Sequence, residues 1–513
     1  MDTLLAAVPL LLILILMLGF RWGGSKAGAA GLLSSLLIAG LWFGAGPSVL
    51  FWAQVQGFFR AAYVLYIIWG ALFFFRVTEA GGTLEATSTM LKQLAPGRIL
   101  QVLLLAWGFT SFLQSVGGFG VPVAIVAPIL VAMGFSPLDA VVIPSIGLTW
   151  AVAFGSVGAP YEALISATAV EKALLAPWVA GSMVLVCFMC GTIVLWKASG
   201  NRLPRRELAP LLTMAVSMSL VQYFVATIGI EHIAAMLGAL AGLLVGGFWA
   251  LARRRRMDAA EVIPIDPKQA FIQVLPYLLL VTMILAVSFV PFLDQHLNRV
   301  VLSVQMPDLY LEDGTLIAAE TTRSISVFGH PGAQLIYIST LTLLWSRKRN
   351  ALPPGSGAKI RRGVLRSGYK TTLGIVTMMA MATTMQMSGM VTTLSTSMAA
   401  FAGGSFPLMS GFIGALGAFM TGSNTNSNVM LGAFQLEVAQ ALGLHVPFIL
   451  ALHNAGAGVG SVFGPAKIIV GCSTVGLSGG EGEALRSTAG YGLIIITVLA
   501  VVAWLMVGSL SGI

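Results

Sequence analysis

The stretch TGSNTNSNVM (421–430) interrupts sequence that otherwise belongs in hydrocarbon, between FPLMSGFIGALGAFM (406–420) and VMLGAFQLEVAQALGL (429–444). Six consecutive hydroxyl and amide side chains, Ser423 to Asn428, do not suit an ordinary lipid-facing helix. A break there frees backbone N–H and C=O groups, which are costly if unpaired in a bilayer. It is therefore tolerated only when buried in protein or lining a polar cavity. The polar run is expected to be the tip of a hairpin at mid-membrane depth, where its groups can hold a solute.

The rest of the chain supports that setting. Of 513 residues, 57% are hydrophobic and only 9% charged, whereas soluble domains carry about a quarter charged residues. Many apolar runs reach the ~20 residues that cross a bilayer as a helix. The short alternating segments of a transmembrane barrel are not visible. The fold class expected is an all-α polytopic membrane protein. The opening MDTLLAAVPLLLILILMLGF has no basic leader and no small-residue cleavage site, so it is expected to be a retained first helix.

The net charge of +9 comes from Lys and Arg gathered in a few loops, chiefly Lys197–Arg206, Arg253–Arg256 and Arg347–Lys370. That distribution follows the positive-inside rule and assigns these loops to the cytoplasm. No basic patch interleaved with aromatics points to nucleic acid. The acidic-leaning segment 294–331 then faces outside, and both termini are expected outside. Segment 79–98 is expected to lie at the inner interface. Cys187 and Cys190 form a C-x-x-C inside an apolar helix with no second pair, and with Cys472 they suit packing, not metal or redox chemistry.

Glycine-rich breaks recur. SVGGFGVPVA (115–124) is followed by GSVGAP (155–160), and TGSNTNSNVM by GSVFGP (460–465). From Gly120 to Gly155 is 35 residues, and from Asn424 to Gly460 is 36. Paired breaks at matching spacing suggest a duplicated architecture, and such breaks mark a carrier's midplane site. Loop charge makes the first hairpin enter from inside and the second from outside. The expected fold is therefore one of inverted repeats, with two opposed re-entrant hairpins and two broken helices. None of the glycine motifs has the order of a phosphate-binding loop, and no metal-spaced cluster or nucleophile elbow is visible. No enzyme, metal or cofactor is expected.

At these motifs the chain resembles the lactate permease family of bacterial secondary carriers. The resemblance rests on GGFGVPVAIVAPILVAMGFSPLDA (117–140), VAFGSVGAP (152–160), TGSNTNSNVMLGAFQ (421–435) and GPAKIIVGCSTVGLSGGEGEALRSTAGYG (464–492), and so covers both halves. It implies a symporter of small organic acid anions such as L-lactate or glycolate, coupled to protons, in the bacterial inner (plasma) membrane. It also implies kinship with elevator-type ion transporters. The chain departs from the family's pattern at Gln114 and Ser115, where a Glu-Gly pair is usual, and at Asn424, where some members carry Asp. Lys467 in GPAK stands where a neutral, Ser-Pro-Gln-Ser-like stretch is usual. The lost carboxylates leave open a sodium-coupled carrier of another carboxylate or sulfonate, and opposed hairpins leave open an anion channel.

The candidate substrate-binding residues are Gln114, Gly117, Gly118, Phe119 and Gly120 at the first tip, then Gly155, Ser156 and Gly158 at the first broken helix. Thr421, Ser423, Asn424, Thr425, Asn426, Ser427 and Asn428 form the second tip, with Gly460, Ser461 and Lys467 at the second broken helix. Half-helix N-termini after Gly120 and Ser427 suit a carboxylate. A lysine at membrane depth costs about 2.5–3.5 kcal/mol to insert and so calls for a reason at Lys467. Glu162, just after the first break, and His453 are the candidate coupling groups, whereas Arg60 suits a scaffold anchor. The expected organisation is scaffold 1–98, transport half 99–175, scaffold 176–370 with the external loop 294–331, transport half 371–490 and a C-terminal helix 491–513. The partners expected are a small organic anion, H+ or Na+, membrane lipid and further copies of the chain.

Overall fold

The computed structural model describes residues 1–20, 22–83, 86, 87, 89, 90, 97–118, 121–255, 267–477 and 480–510. Phe119, Gly120, Arg256 and parts of the 79–98 segment therefore lie outside the described residues.

Helix dominates because hydrocarbon leaves the backbone no partner but itself. Among the described residues, ten helices are long and apolar enough to cross a membrane, and one further pair, Pro137–Ala151 with Gly155–Thr168, is bent by 53°. The chain opens with α1 (Asp2–Leu18), α2 (Gly24–Leu41) and the long α3 (Pro47–Ala80). Next come α4 (Arg98–Val116), α5 (Val121–Ala132), α6 (Pro137–Gly147) and α7 (Gly155–Thr168). Helices α8 (Lys172–Ala198), α9 (Arg205–Thr227), α10 (Ala234–Arg254), α11 (Pro267–Phe289) and α12 (Pro291–Leu297) lead to the polar segment. Beyond it run α13 (Pro331–Lys348), α14 (Ser356–Met387), α15 (Met390–Ala402), α16 (Phe406–Thr421) and α17 (Asn424–Ala441). The chain closes with α18 (Val446–Val462), α19 (Pro465–Thr474) and α20 (Glu481–Leu510).

The expected breaks are present. Helix α16 ends on Gly422 at φ +66, Ser423 caps α17 by accepting the Asn426 N–H at 3.3 Å, and the chain reverses. The arms lie antiparallel: Ser410 Oγ meets Gln435 Oε1 at 2.8 Å far from the tip, and Ser427 Oγ donates to Gly414 O at 2.8 Å nearer to it. The other tip follows α4, where Gly118 stands at φ +56. Seven residues of α4, Leu103–Phe109, wind as π-helix. That widened turn receives α6 closely, since a Cβ on Gly147 would strike the Ala106 carbonyl and Ser111 Oγ donates to Gly147 O at 3.1 Å.

Each broken helix rests on the tip that precedes it in the chain. A side chain on Gly118 would run into Ser156 Oγ, and one on Gly155 would lie 3.0 Å from Gln114 Nε2. At the second break a side chain on Gly464 would lie 2.8 Å from Gly422 Cα. The first break is the more strained. Ser156 (φ 48) and Val157 (φ 54) are left-handed, and Gly158 follows at φ 78. A β-branched residue in that region is an outlier that the surroundings must hold in place, a feature that concentrates at functional sites.

The all-α expectation misses a small ribbon in the polar segment. Strand β1 (Val301–Leu302) pairs antiparallel with β4 (Ile325–Ser326), and β2 (Leu309–Tyr310) with β3 (Leu316–Ile317). A Gln305–Thr321 bridge joins the two pairs. Two-residue strands are too short to show alternation in sequence. The ribbon is tied to α3 by Tyr66, whose hydroxyl donates to Val327 O at 2.7 Å.

Candidate functional site

Both broken helices meet the second tip. Asn424 Nδ2 donates to Asn454 Oδ1 at 2.9 Å, and Asn428 Nδ2 donates to the same oxygen at 3.0 Å and to Pro160 O at 2.8 Å. Asn454 comes from α18 and Pro160 from the first turn after the α7 break, so one amide joins the tip to both broken helices. All three asparagines are buried, yet Asn424 Oδ1, Asn428 Oδ1 and Asn454 Nδ2 have no partner among the described residues. Buried polar atoms are almost always satisfied, and three orphans in one cluster leave acceptors and a donor ready for a solute.

The other polar groups of the tip divide by task. Thr421 Oγ1 donates to Gly417 O at 2.9 Å, while Ser423 caps α17 and Ser427 ties the two arms. These three serve the backbone of the hairpin itself. Thr425 is buried, and Asn426 faces Gly24 and Gly374, on α2 and α14. The tip thus touches the helices around it as well as the broken helices.

Lys467 lies on the first turn of α19, beyond the second break. Its Nζ donates to Ser461 Oγ at 3.2 Å, and no carboxylate among the described residues pairs with it. Ser461 in turn donates to Gly458 O at 2.9 Å, and a side chain on Gly458 would lie 3.8 Å from Asn424 Nδ2. An ammonium without a counter-charge and the orphaned amides therefore belong to one neighbourhood. Gly460 sits where α18 crosses α16, its Cα facing the Ala415 backbone, so its lack of a side chain is what permits the crossing.

Of the residues that form the first tip, Gln114 is buried against Gly155 and Gly118 against Ser156. Gly117 packs on the Phe75 ring, where a Cβ would lie 2.7 Å from Cδ2. Gly158 packs on His232, whose Cα would lie 3.0 Å from a Cβ there.

Glu162 is wholly buried at the centre of a charge cluster. Lys172 Nζ bonds Oε1, His232 Nε2 lies 3.1 Å from the same oxygen, and Arg323 Nη2 donates to Oε2 at 3.1 Å. Lys172 also pairs with Glu231 at 3.0 Å. Glu162, Glu231 and His232 hold ligand atoms within 4.8 Å of one another, but the Lys172 ammonium already stands between the two carboxylates as a built-in cation. His453 is fully buried beside the second hairpin, and neither ring nitrogen makes a well-formed hydrogen bond among the described residues.

Sequence reasoning missed Asn454, Lys172, His232, Glu231 and Arg323. A single amide in LALHNAGAGVG, and charges near helix ends, look ordinary until the tertiary structure gathers them.

Fold and site together define a multi-pass membrane protein organised around broken helices and a polar, partly unsatisfied centre. Comparison with known sequences supplies the family: the profile described as L-lactate permease matches residues 2–509, and the chain belongs to that family. It is 28% identical over 461 residues to the L-lactate permease of Streptococcus iniae, covering 89% of this chain and 94% of that one. It is 26% identical over 558 residues to the glycolate permease GlcA of Escherichia coli K12, with 100% and 97% covered. It is also 26% identical over 548 residues to the L-lactate permease of Bacillus subtilis 168, with 98% and 96% covered. These relatives are permeases, not enzymes. Among solved structures, the YdaH transporter of Alcanivorax borkumensis aligns with a TM-score of 0.48 at 13% identity, over 90% of this chain and 88% of that one.

Proposed function

We propose that the protein is a secondary active symporter that carries L-lactate or glycolate together with protons across a bacterial inner membrane. The observation that carries this reading is Lys467, a cation at a helix break with a serine hydroxyl as neighbour and no acid partner among the described residues. A substrate carboxylate would supply the missing charge, and a 2-hydroxyl would engage the unsatisfied amides of Asn424, Asn428 and Asn454. Family membership across the whole chain supports the substrate class. Glu162 and His453 are the proposed coupling groups. For Glu162 to take up a proton, at least one of its cationic partners must withdraw, which would tie protonation to a conformational step.

In this reading residues 99–175 and 371–490 move as one transport domain against the other helices. The Asn428–Pro160 bond and the seating of each broken helix on its own tip support such a unit. The inverted repeats, the elevator movement, the outward termini and an oligomeric assembly belong to the same proposal.

The test is uptake of labelled L-lactate and glycolate into proteoliposomes under an imposed pH or sodium gradient. Concentrative uptake under the pH gradient is expected, with Lys467→Ala lowering uptake efficiency by about tenfold or more, as loss of a charge-assisted contact of ~1.5–3 kcal/mol requires. Accumulation under the sodium gradient alone would replace the coupling ion. Leak without accumulation would replace the carrier with a channel.

A further inference from the structure

A cavity of about 410 Å³ lies between α3, the C-terminal end of α7 and the segment between β3 and β4. Its walls carry two guanidinium groups, Arg60 from α3 and Arg323 from the ribbon, together with Gln56, Tyr63, Ser166 and Glu320. Such volumes suit small ligands.

Both arginines are held so that part of each remains available. Arg60 Nη1 donates to the neutral Gln386 Oε1 at 2.8 Å, and its only acid neighbour among the described residues is Glu320, at 3.9 Å. Arg323 lies over the Tyr63 ring at 4.3 Å and bonds Glu162, while its Nε is buried with no acceptor among the described residues. Ser166 Oγ, from α7, is likewise buried with no partner among the described residues. Arg323 and Ser166 both line the cavity, although these two donor atoms are themselves shielded from water in this conformation.

A carboxylate already stands in its mouth. Glu320 is more than half exposed, accepts a hydrogen bond from Gln56 Nε2 at 2.6 Å and approaches Arg60. The charges of the cavity and its floor are Arg60, Arg323 and Lys172 against Glu162, Glu231 and Glu320, with His232 adjoining. With a neutral His232, that set balances only while Glu320 is in place. Glu162 and Glu231 are buried and pinned, whereas Glu320 can turn into water. Without it the set holds one excess positive charge, which matches a monoanion and not a dianion.

We propose that this cavity is a receiving site for a small monocarboxylate, in which the ligand carboxylate displaces that of Glu320 from Gln56 and Arg60, with Arg323 and Ser166 as the neighbouring donor side chains. It shares no lining residue with the centre at the helix breaks. Identification of the ligand with the transported anion rests on the function proposed above.

The experiment measures the KM for external L-lactate in proteoliposomes of known orientation, for wild type, Glu320→Gln and Arg60→Gln. Removing the built-in competitor in Glu320→Gln is expected to lower KM by about threefold, and Arg60→Gln to raise it by about tenfold. A KM unchanged in both variants, with wild type accumulating lactate, would overturn the site and leave the proposed function standing. If wild type accumulates neither lactate nor glycolate, the functional reading fails, and the site is decided by protection. Acetate, lactate and benzoate are then tested for shielding Arg60 and Arg323 of the purified protein from phenylglyoxal, read by peptide mass. Shielding by a monocarboxylate and not by malonate supports the site, and no shielding overturns it. Arg60→Lys, which keeps the charge, separates loss of binding from loss of fold: a folded Arg60→Lys protein with KM between those of wild type and Arg60→Gln supports the site.

Discussion

Glu162→Gln is expected to destabilise the protein by about 3–5 kcal/mol, the range for removing one partner from a buried ion pair. The carboxylate has no exposure to water and is met by Lys172, His232 and Arg323. Glutamine keeps the shape but leaves the two permanent cations facing one another in a site that solvates them poorly. Lys172 retains Glu231 as a partner, while Arg323, among the described residues, is left with no acid partner and lies over the Tyr63 ring. The double variant Glu162→Gln/Arg323→Gln should therefore recover much of the loss, because it deletes the orphaned charge together with its counter-charge. The measurement is the thermal midpoint of detergent-solubilised protein followed by size-exclusion. A single variant as stable as wild type would mean that the cluster contributes no net stability and that Glu162 is free to titrate. A double variant no better than the single would place the cost in lost packing.

That cluster also shows where sequence reasoning stops. Glu162 was visible as a lone acid after a helix break, but its partners come from sequence distances of 10, 70 and 161 residues, at Lys172, His232 and Arg323. Each of the three lies near the end of an apolar span or in a polar loop, where charge is the ordinary expectation. Only the packing of the ribbon and of the α9–α10 turn against α7 turns those ordinary charges into a network. The second tip was legible for the opposite reason. Six polar residues inside hydrocarbon violate the local rule so strongly that the violation itself marks the place. Helical class, the breaks near 117, 155, 422 and 463 and the family all follow from such local signals. The division of labour within TGSNTNSN was not legible. Thr421, Ser423 and Ser427 serve the hairpin backbone, whereas Asn424 and Asn428 converge on Asn454, and identical residue types gave no hint of the split. The π-turn in α4 was equally hidden, since it answers to the approach of Gly147 from another helix.

Gly460→Ala should lower stability by about 1–3 kcal/mol, the usual range for overpacking, and abolish the productive seating of the second hairpin. Helices α16 and α18 make the tightest crossing at the site. A Cβ on Gly456 would strike the Gly411 carbonyl, one on Gly414 the His453 carbonyl, and one on Gly460 the Ala415 backbone, whose Cα would lie at 2.5 Å. Small residues four apart let membrane helices approach until backbones touch, which is the main source of affinity where no hydrophobic effect acts between them. The obstacle at Gly460 is backbone, so no side-chain rotation relieves it, and the helices must separate. Separation would carry Asn454 on α18 away from Asn424 and Asn428, breaking the amide cluster without altering any of its members. Gly490→Ala in α20, where an added Cβ meets nothing within 4 Å, is the control and should be neutral or slightly stabilising, since alanine favours helix by about 1 kcal/mol over glycine. Thermal midpoint and lactate uptake, measured on both variants, decide the matter. A Gly460→Ala protein that keeps its stability but loses uptake would place Gly460 in direct contact with substrate, and one that keeps both would overturn the close crossing.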